Sequence, residues 1–155
     1  MKEYIRKIYE KYEWELDMLN YHQEEESDIE DNNYVYAWFT KGNNKKYFYI
    51  GKGKNKRYIH ILNEIEDVEK GKYKGKHYKL LKEKYGIECE FLYEKLTACE
   101  ASILEAYSIM TYMKKKEPLL NVILPAAVME DEELCQYRDS YFYEKDDDKF
   151  LEFYS

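Results

Sequence analysis

Only three cysteines, three histidines and two prolines occur among the 155 residues. Cys89, Cys99 and Cys135 are odd in number and far apart, which argues against a disulfide framework or a zinc site and reads as reduced, structural thiols. His22, His60 and His77 are equally scattered and lack ligand spacing. No apolar run approaches the length of a membrane span. The start, Met1-Lys2-Glu3-Tyr4, has no signal-peptide character, so a soluble, intracellular (cytoplasmic) protein is expected. There is no internal repeat. The length suits one domain whose core needs no staples.

Positive charge is also short overall, with a formal net charge of −7. At first sight that speaks against a polyanionic partner, but the distribution changes the reading. Residues 34–125 carry 18 Lys and Arg against 11 Asp and Glu, whereas residues 1–33 hold 4 against 11 and residues 126–155 hold 3 against 10. A basic centre lies between two acidic flanks, and the local field steers a polyanion rather than the sum. The other reading of these lysines is an ordinary solvated surface.

What is present in abundance is a pattern of strand and helix formers. Tyr34–Thr40 and Tyr47–Ile50 are aromatic and β-branched runs around the polar turn Lys41-Gly42-Asn43-Asn44-Lys45-Lys46, which predicts a hairpin. The second strand runs into Gly51-Lys52-Gly53-Lys54-Asn55-Lys56-Arg57, where a permissive, cation-rich backbone suits a bound phosphate. Upstream, Ile5, Ile8, Tyr9, Tyr12, Leu16 and Leu19 predict an amphipathic helix over 3–20. The stretch His22–Asn33 reads as an acidic linker. Downstream, helices are expected over Lys56–Glu69, stopped by Gly71, and over about His77–Tyr85, stopped by Gly86. Ile87–Leu96 alternates as a third strand. A long helix follows from Cys99 to about Lys115, with Thr97 and Glu100 as a capping box. Pro118 ends it, Leu119–Ile123 is a short apolar segment, and Pro125 closes the central unit. The acidic tail holds Tyr137, Tyr141, Phe142, Tyr143, Phe150, Phe153 and Tyr154, too many aromatics for simple disorder. Three regions result: an N-terminal helix and acidic linker (1–33), a central domain (34–125), and an acidic, aromatic extension (126–155) packed on or near that domain.

The central stretch resembles the GIY-YIG nuclease family. Val35-Tyr36 matches part of the first half-motif, with Tyr34 where the family has its first Gly, and Tyr49-Ile50-Gly51 matches the second half intact. The resemblance covers about three-fifths of the chain and implies an α+β fold: a small three-stranded antiparallel sheet flanked by helices. Arg57, eight residues after Tyr49, resembles the family arginine, and His60 a histidine often found one turn later. Glu105 resembles the metal-binding glutamate, Asn121 the structural asparagine, and Lys52 a lysine of some branches. The run Y-I-G-K-G-x-x-x-R resembles the branch with a short approach to the arginine.

What the family implies is a metal-dependent DNA endonuclease. Glu105 would hold one Mg²⁺ (or Mn²⁺), whose other positions water and substrate fill. Arg57 would offer phosphate a planar fork of donors. Tyr49, with Tyr36, would take the proton from water, which requires the site to lower a phenol pKa normally near 10; Lys52 and the metal have the right sign. His60 would assist proton transfer or contact a phosphate. Lys52, Lys54 and Lys56 would bind substrate, while Gly51 and Asn121 are structural. Other readings stand beside these. Glu105 is otherwise a solvated helix carboxylate with Glu100 as its nearest rival, and both tyrosines are otherwise ordinary strand residues. No separate DNA-binding domain is visible, so sequence specificity would come from loops, a homodimer or a partner, unless the enzyme selects DNA structure. A non-enzymatic alternative is a silent version of the fold that binds nucleic acid or protein. The acidic tail either competes with phosphate for the lysines or only packs.

Overall fold

In the computed structural model, which describes residues 1–17, 30–71 and 75–155, strand β1 (Asn33–Thr40) is buried along its whole length. A strand covered on both faces needs apolar side chains at every position, and Tyr34–Phe39 supplies them. Alternate residues then serve two different cores. Val35 and Ala37 join one core with Ile50, Leu96 and the apolar face of helix α4 (Ala98–Lys114). Tyr34, Tyr36 and Trp38 join the other with Phe48, Ile61, Ile65 and Leu81. The hairpin partner, β2 (Lys46–Gly53), pairs antiparallel on one side of β1, and β3 (Ile87–Leu96) on the other, giving the order β2-β1-β3. The fold is thus α+β, with a small three-stranded antiparallel sheet flanked by helices.

Several expectations on element ends are corrected. Helix α1 covers only Glu3–Tyr12, not 3–20. Leu16 is still buried, but the carbonyls of Glu15 and Asp17 turn away to accept the N–H groups of Ala127 and Ala126. Leu19 and most of the acidic linker lie outside the described residues. The helix expected from Lys56 starts as a 3₁₀ turn, Arg57–Ile59, and becomes α2 only at His60–Glu69. Helix α3 is Lys76–Tyr85. Strand β2 does not stop at Ile50 but continues through Gly53, so Gly51 and Gly53 are strand residues without left-handed φ.

The capping box of α4 is present. Thr97 Oγ1 accepts Glu100 N–H, and Glu100 accepts Thr97 N–H at 2.9 Å. Lys2 N–H also donates to Glu100, at 2.8 Å, which ties the start of α1 to the start of α4. Burial opposes ionisation of Glu100, yet these donors hold its carboxyl below the ordinary value.

The outer edge of β2 is covered rather than left open. Glu117 accepts Tyr47 N–H, Leu120 N–H donates to Phe48 O, and the Asn121 amide bonds both backbone groups of Ile50. Three short helices in the tail, α5 (Ala126–Met129), α6 (Glu132–Phe142) and α7 (Asp147–Glu152), cover the far side of this segment. Tyr141 Oη donates to Leu119 O at 2.6 Å, Tyr154 Oη to Pro118 O at 2.5 Å, and Arg138 to Asn121 O at 2.8 Å. The His77 ring stacks on Phe150 at 4.3 Å. Both flanks therefore pack into the same two cores as the central segment, and the tail aromatics sit on α3 and residues 116–121. Among the described residues no helix is long and apolar enough to cross a membrane.

Candidate active site

Between the β1–β2 hairpin, α2 and α4 lies a cleft of ≈ 390 Å³. Its lining collects Tyr36 from β1, Tyr49, Gly51 and Lys52 from β2, Arg57 from the 3₁₀ turn, His60 from α2, Glu105 from α4 and Asn121 from the edge segment. Eight of the ten site residues expected from the sequence thus share one concavity. The exceptions are Lys54 and Lys56, exposed on the neighbouring turn and outside the lining.

Register explains how the two tyrosines meet. Tyr36 pairs with Gly51, so Tyr49 is its diagonal neighbour on the same face, with ring centroids 6.2 Å apart. Gly51 is glycine because the Tyr36 ring occupies the space of a side chain: a Cβ there would lie 2.5 Å from Tyr36 Oη. Gly53 has the same cause, since its Cβ would lie 2.5 Å from Arg57 Cβ. The two glycines thus leave room for the side chains of Tyr36 and Arg57.

The turn carrying Arg57 is held by aromatic side chains of β1. Tyr34 Oη donates to Asn55 O at 2.9 Å and accepts Tyr58 N–H at 3.1 Å, and Trp38 Nε1 donates to Tyr58 O at 2.9 Å. Lys52 Nζ lies 2.7 Å from Ser102 Oγ, one turn before Glu105 on α4. His60 packs edge-on to Tyr49, centroids 4.9 Å apart, with its Nδ1 3.7 Å from Glu64 Oε1.

The electrostatics differ from expectation. Burial, followed by the carboxylates of Glu105 and Glu64, pushes the Tyr49 phenol up to about 12, with Arg57 acting in the opposite direction. Burial, then Tyr49 and Glu105, also raises Tyr36, again opposed by Arg57. In the ligand-free chain both phenols are therefore neutral, and the site does not lower the pKa of Tyr49. Its side-chain positive charge comes from Arg57 and Lys52, and its negative charge from Glu105 and Glu64.

Sequence reasoning missed Glu64, Tyr78, Ile109, Leu120, Val122 and Ile123, all in the lining. Glu64 lies one turn after His60, and that i,i+4 spacing was a usable signal. Val122 and Ile123 are exposed at 77% and 55%, so the lining includes an apolar lip.

The donor set suits a hard divalent cation. Mg²⁺ is held by one or two carboxylates, with water and substrate oxygens completing its shell. Glu105, with Glu64 in the same cleft, offers that chemistry, and the cleft is roomy enough for water. Among the described residues no three His, Cys, Asp or Glu side chains cluster as an all-protein metal cage. No protein-family model matches the chain, and no curated protein or solved structure matches it.

Proposed function

We propose that the chain is a divalent-metal-dependent DNA endonuclease of the GIY-YIG type, hydrolysing phosphodiester bonds in the cleft between the hairpin, α2 and α4. The observation that carries this reading is the convergence of Tyr36, Tyr49, Arg57, His60, Lys52 and Glu105 from five elements into one cavity. Residues kept only for packing have no reason to bring a guanidinium, two phenols, an imidazole and a carboxylate to one water-filled space.

Hydrolysis adds water to phosphorus, moves one water proton to a base, and breaks a P–O bond whose oxygen leaves with a proton. Arg57 binds two phosphate oxygens through its fork and balances the charge that builds on them. Lys52, steadied by Ser102, adds a second positive charge to the cleft. Tyr49 is neutral, so its hydroxyl receives the water's proton only as its own proton leaves. His60 lies beside it and Glu64 beside His60, which gives that proton a direction. Tyr36, buried against Gly51, fixes the ring of Tyr49. Glu105, with Glu64 in the same lining, would hold the cation, which when bound supplies Lewis acidity at the phosphate and leaving oxygen. Lys54 and Lys56, exposed on the turn beside the cleft, would contact further phosphates of the strand.

The test is plasmid nicking with and without Mg²⁺. The wild-type chain should nick only with the metal, and Glu105→Ala should lose nicking while keeping its melting temperature and its DNA binding. Metal-independent nicking, or wild-type rates from Glu105→Ala, would overturn the reading. DNA binding without any cleavage would leave the silent, binding version of the fold.

A further inference from the structure

We propose that Tyr34 is a positioning residue that acts through Arg57: with Trp38 it clamps the backbone of Tyr58 and so fixes where the guanidinium points. The assignment of catalysis to Arg57 rests on the endonuclease reading above; the clamp itself rests on geometry.

Arg57 has weak local reasons to hold one position. It is solvent-exposed and sits in a short 3₁₀ turn after Asn55, whose φ of +55° is left-handed. Short 3₁₀ turns have poorer hydrogen-bond geometry than α-helix. What fixes the turn comes from the sheet. The residue after Arg57 has both backbone groups taken by side chains of β1: Tyr34 Oη accepts Tyr58 N–H and Trp38 Nε1 donates to Tyr58 O. The same Tyr34 hydroxyl donates to Asn55 O, so one phenol spans the turn from Asn55 to Tyr58.

Tyr34 is itself immobile. It is 6% exposed, stacked on Phe91 with centroids 4.4 Å apart and planes 13° from parallel. Gly53 completes the arrangement, because its missing Cβ lets the stem of Arg57 lie against β2 next to the Tyr34 hydroxyl. Tyr34 and Trp38 flank Tyr36 at alternate positions of β1, so the strand that carries one cleft phenol also sets the arginine facing it. A glycine at position 34 could supply none of these bonds.

Tyr34→Phe keeps the stack on Phe91 and deletes both hydrogen bonds. Tyr85→Phe is the control: it deletes one tyrosine-to-carbonyl bond, to Leu151 O, away from the cleft. The chain has only three arginines, Arg6, Arg57 and Arg138, so the side-chain Nε–Hε signals of a ¹⁵N-labelled sample are assignable by substitution. In Tyr34→Phe the Tyr58 amide should lose hydrogen-exchange protection and residues 54–59 should gain fast motion, with the rest of the sheet unchanged. In Tyr85→Phe the turn should stay ordered. Nicking by Tyr34→Phe should fall about tenfold to a hundredfold, the size of effect expected from misplacing a catalytic group by about 1 Å. That loss should vanish in the Arg57→Ala background, because a residue acting through Arg57 has nothing left to position. A turn as ordered in Tyr34→Phe as in wild type would overturn the clamp. Additive losses in Tyr34→Phe/Arg57→Ala would overturn its action through Arg57. If the wild-type chain nicks no DNA, the nuclease reading fails, while the clamp still stands or falls on the exchange and relaxation data.

Discussion

Gly51→Ala should damage both fold and site, and the structure sets the size of the effect. The new Cβ would lie 2.5 Å from Tyr36 Oη and 2.6 Å from Cζ, whereas ordinary contacts are 3.4–4 Å. The shortfall is about 1 Å, enough by itself to cost on the order of 100-fold in rate if Tyr36 supports catalysis. Tyr36 has nowhere to retreat: it is 2% exposed and bounded by the rings of Tyr34, Tyr49 and His60. The strands must part or the ring must leave its rotamer. Overpacking of this kind costs about 1–3 kcal/mol. For a chain of this size each kcal/mol lowers Tm by about 2–4 °C, so a fall of about 2–12 °C is expected. Thermal melting and plasmid nicking well below Tm would measure both. Gly71→Ala is the matched control, because nothing lies within 4 Å of its Cβ but its φ is +89°. It should lose about 1 kcal/mol of stability to backbone strain and none of its activity. A Gly51→Ala chain with wild-type Tm and rate, or an equal rate loss in Gly71→Ala, would refute the packing argument.

Three further outcomes rest on burial and on the tail. The folded chain raises the Tyr49 phenol from 10 to about 12, and burial raises Tyr36, Tyr78, Tyr141 and Tyr154 too. The fold favours the neutral phenols, so their stabilisation is complete below pH 10 and is lost as pH rises through the folded values. The part of the phenolate absorbance that comes from these buried rings should therefore appear only as circular dichroism is lost, above about pH 10; a full phenolate signal from all 19 tyrosines in a chain still folded would contradict this. Tyr154→Ala should cost about 3–5 kcal/mol, as expected for a large side chain removed from a core. A chain cut before Glu130 should likewise lose stability without gaining DNA affinity at low salt. Tighter low-salt binding by the shortened, catalytically dead chain would instead show a tail that competes with phosphate.

Local chemistry made much of the fold legible. Thr97 and Glu100 cap α4 through contacts three residues apart, and the aromatic runs around Gly42–Asn44 form a hairpin because each signal sits within a few residues. Long-range bonds were not legible. Nothing in residues 3–20 shows that Glu15 and Asp17 will accept from Ala127 and Ala126, so the helix read from periodicity runs past its true end at Tyr12. Gly51 and Gly53 looked like flexible turn residues because the side chains filling their space, Tyr36 and Arg57, are identified only once the register is known. Glu117 looked like one more surface carboxylate, yet it caps Tyr47 N–H at the edge of β2. Of the candidate site, the residues with distinctive chemistry were readable, and the apolar lip at Val122 and Ile123 was not. An apolar pair in sequence predicts burial, and here the turn held by Asn121 points it outward.

The buttress behind the edge segment also sets an order of assembly. Asn121 is fixed from one side by Ile50 and from the other by Arg138, and the carbonyls of Pro118 and Leu119 await the hydroxyls of Tyr154 and Tyr141. A growing polypeptide presents Tyr36, Tyr49, Arg57 and Glu105 long before Tyr154 leaves the ribosome. Until then Pro118 O lacks its partner and the second core lacks Phe150 and Tyr154. A chain translated only as far as α6 therefore carries the polar groups that line the cleft but lacks the rings in and after α7 that back residues 118–121. A product that stops before Phe150 would hold the cleft residues without the Tyr154 bond to Pro118 O and without two rings of the second core.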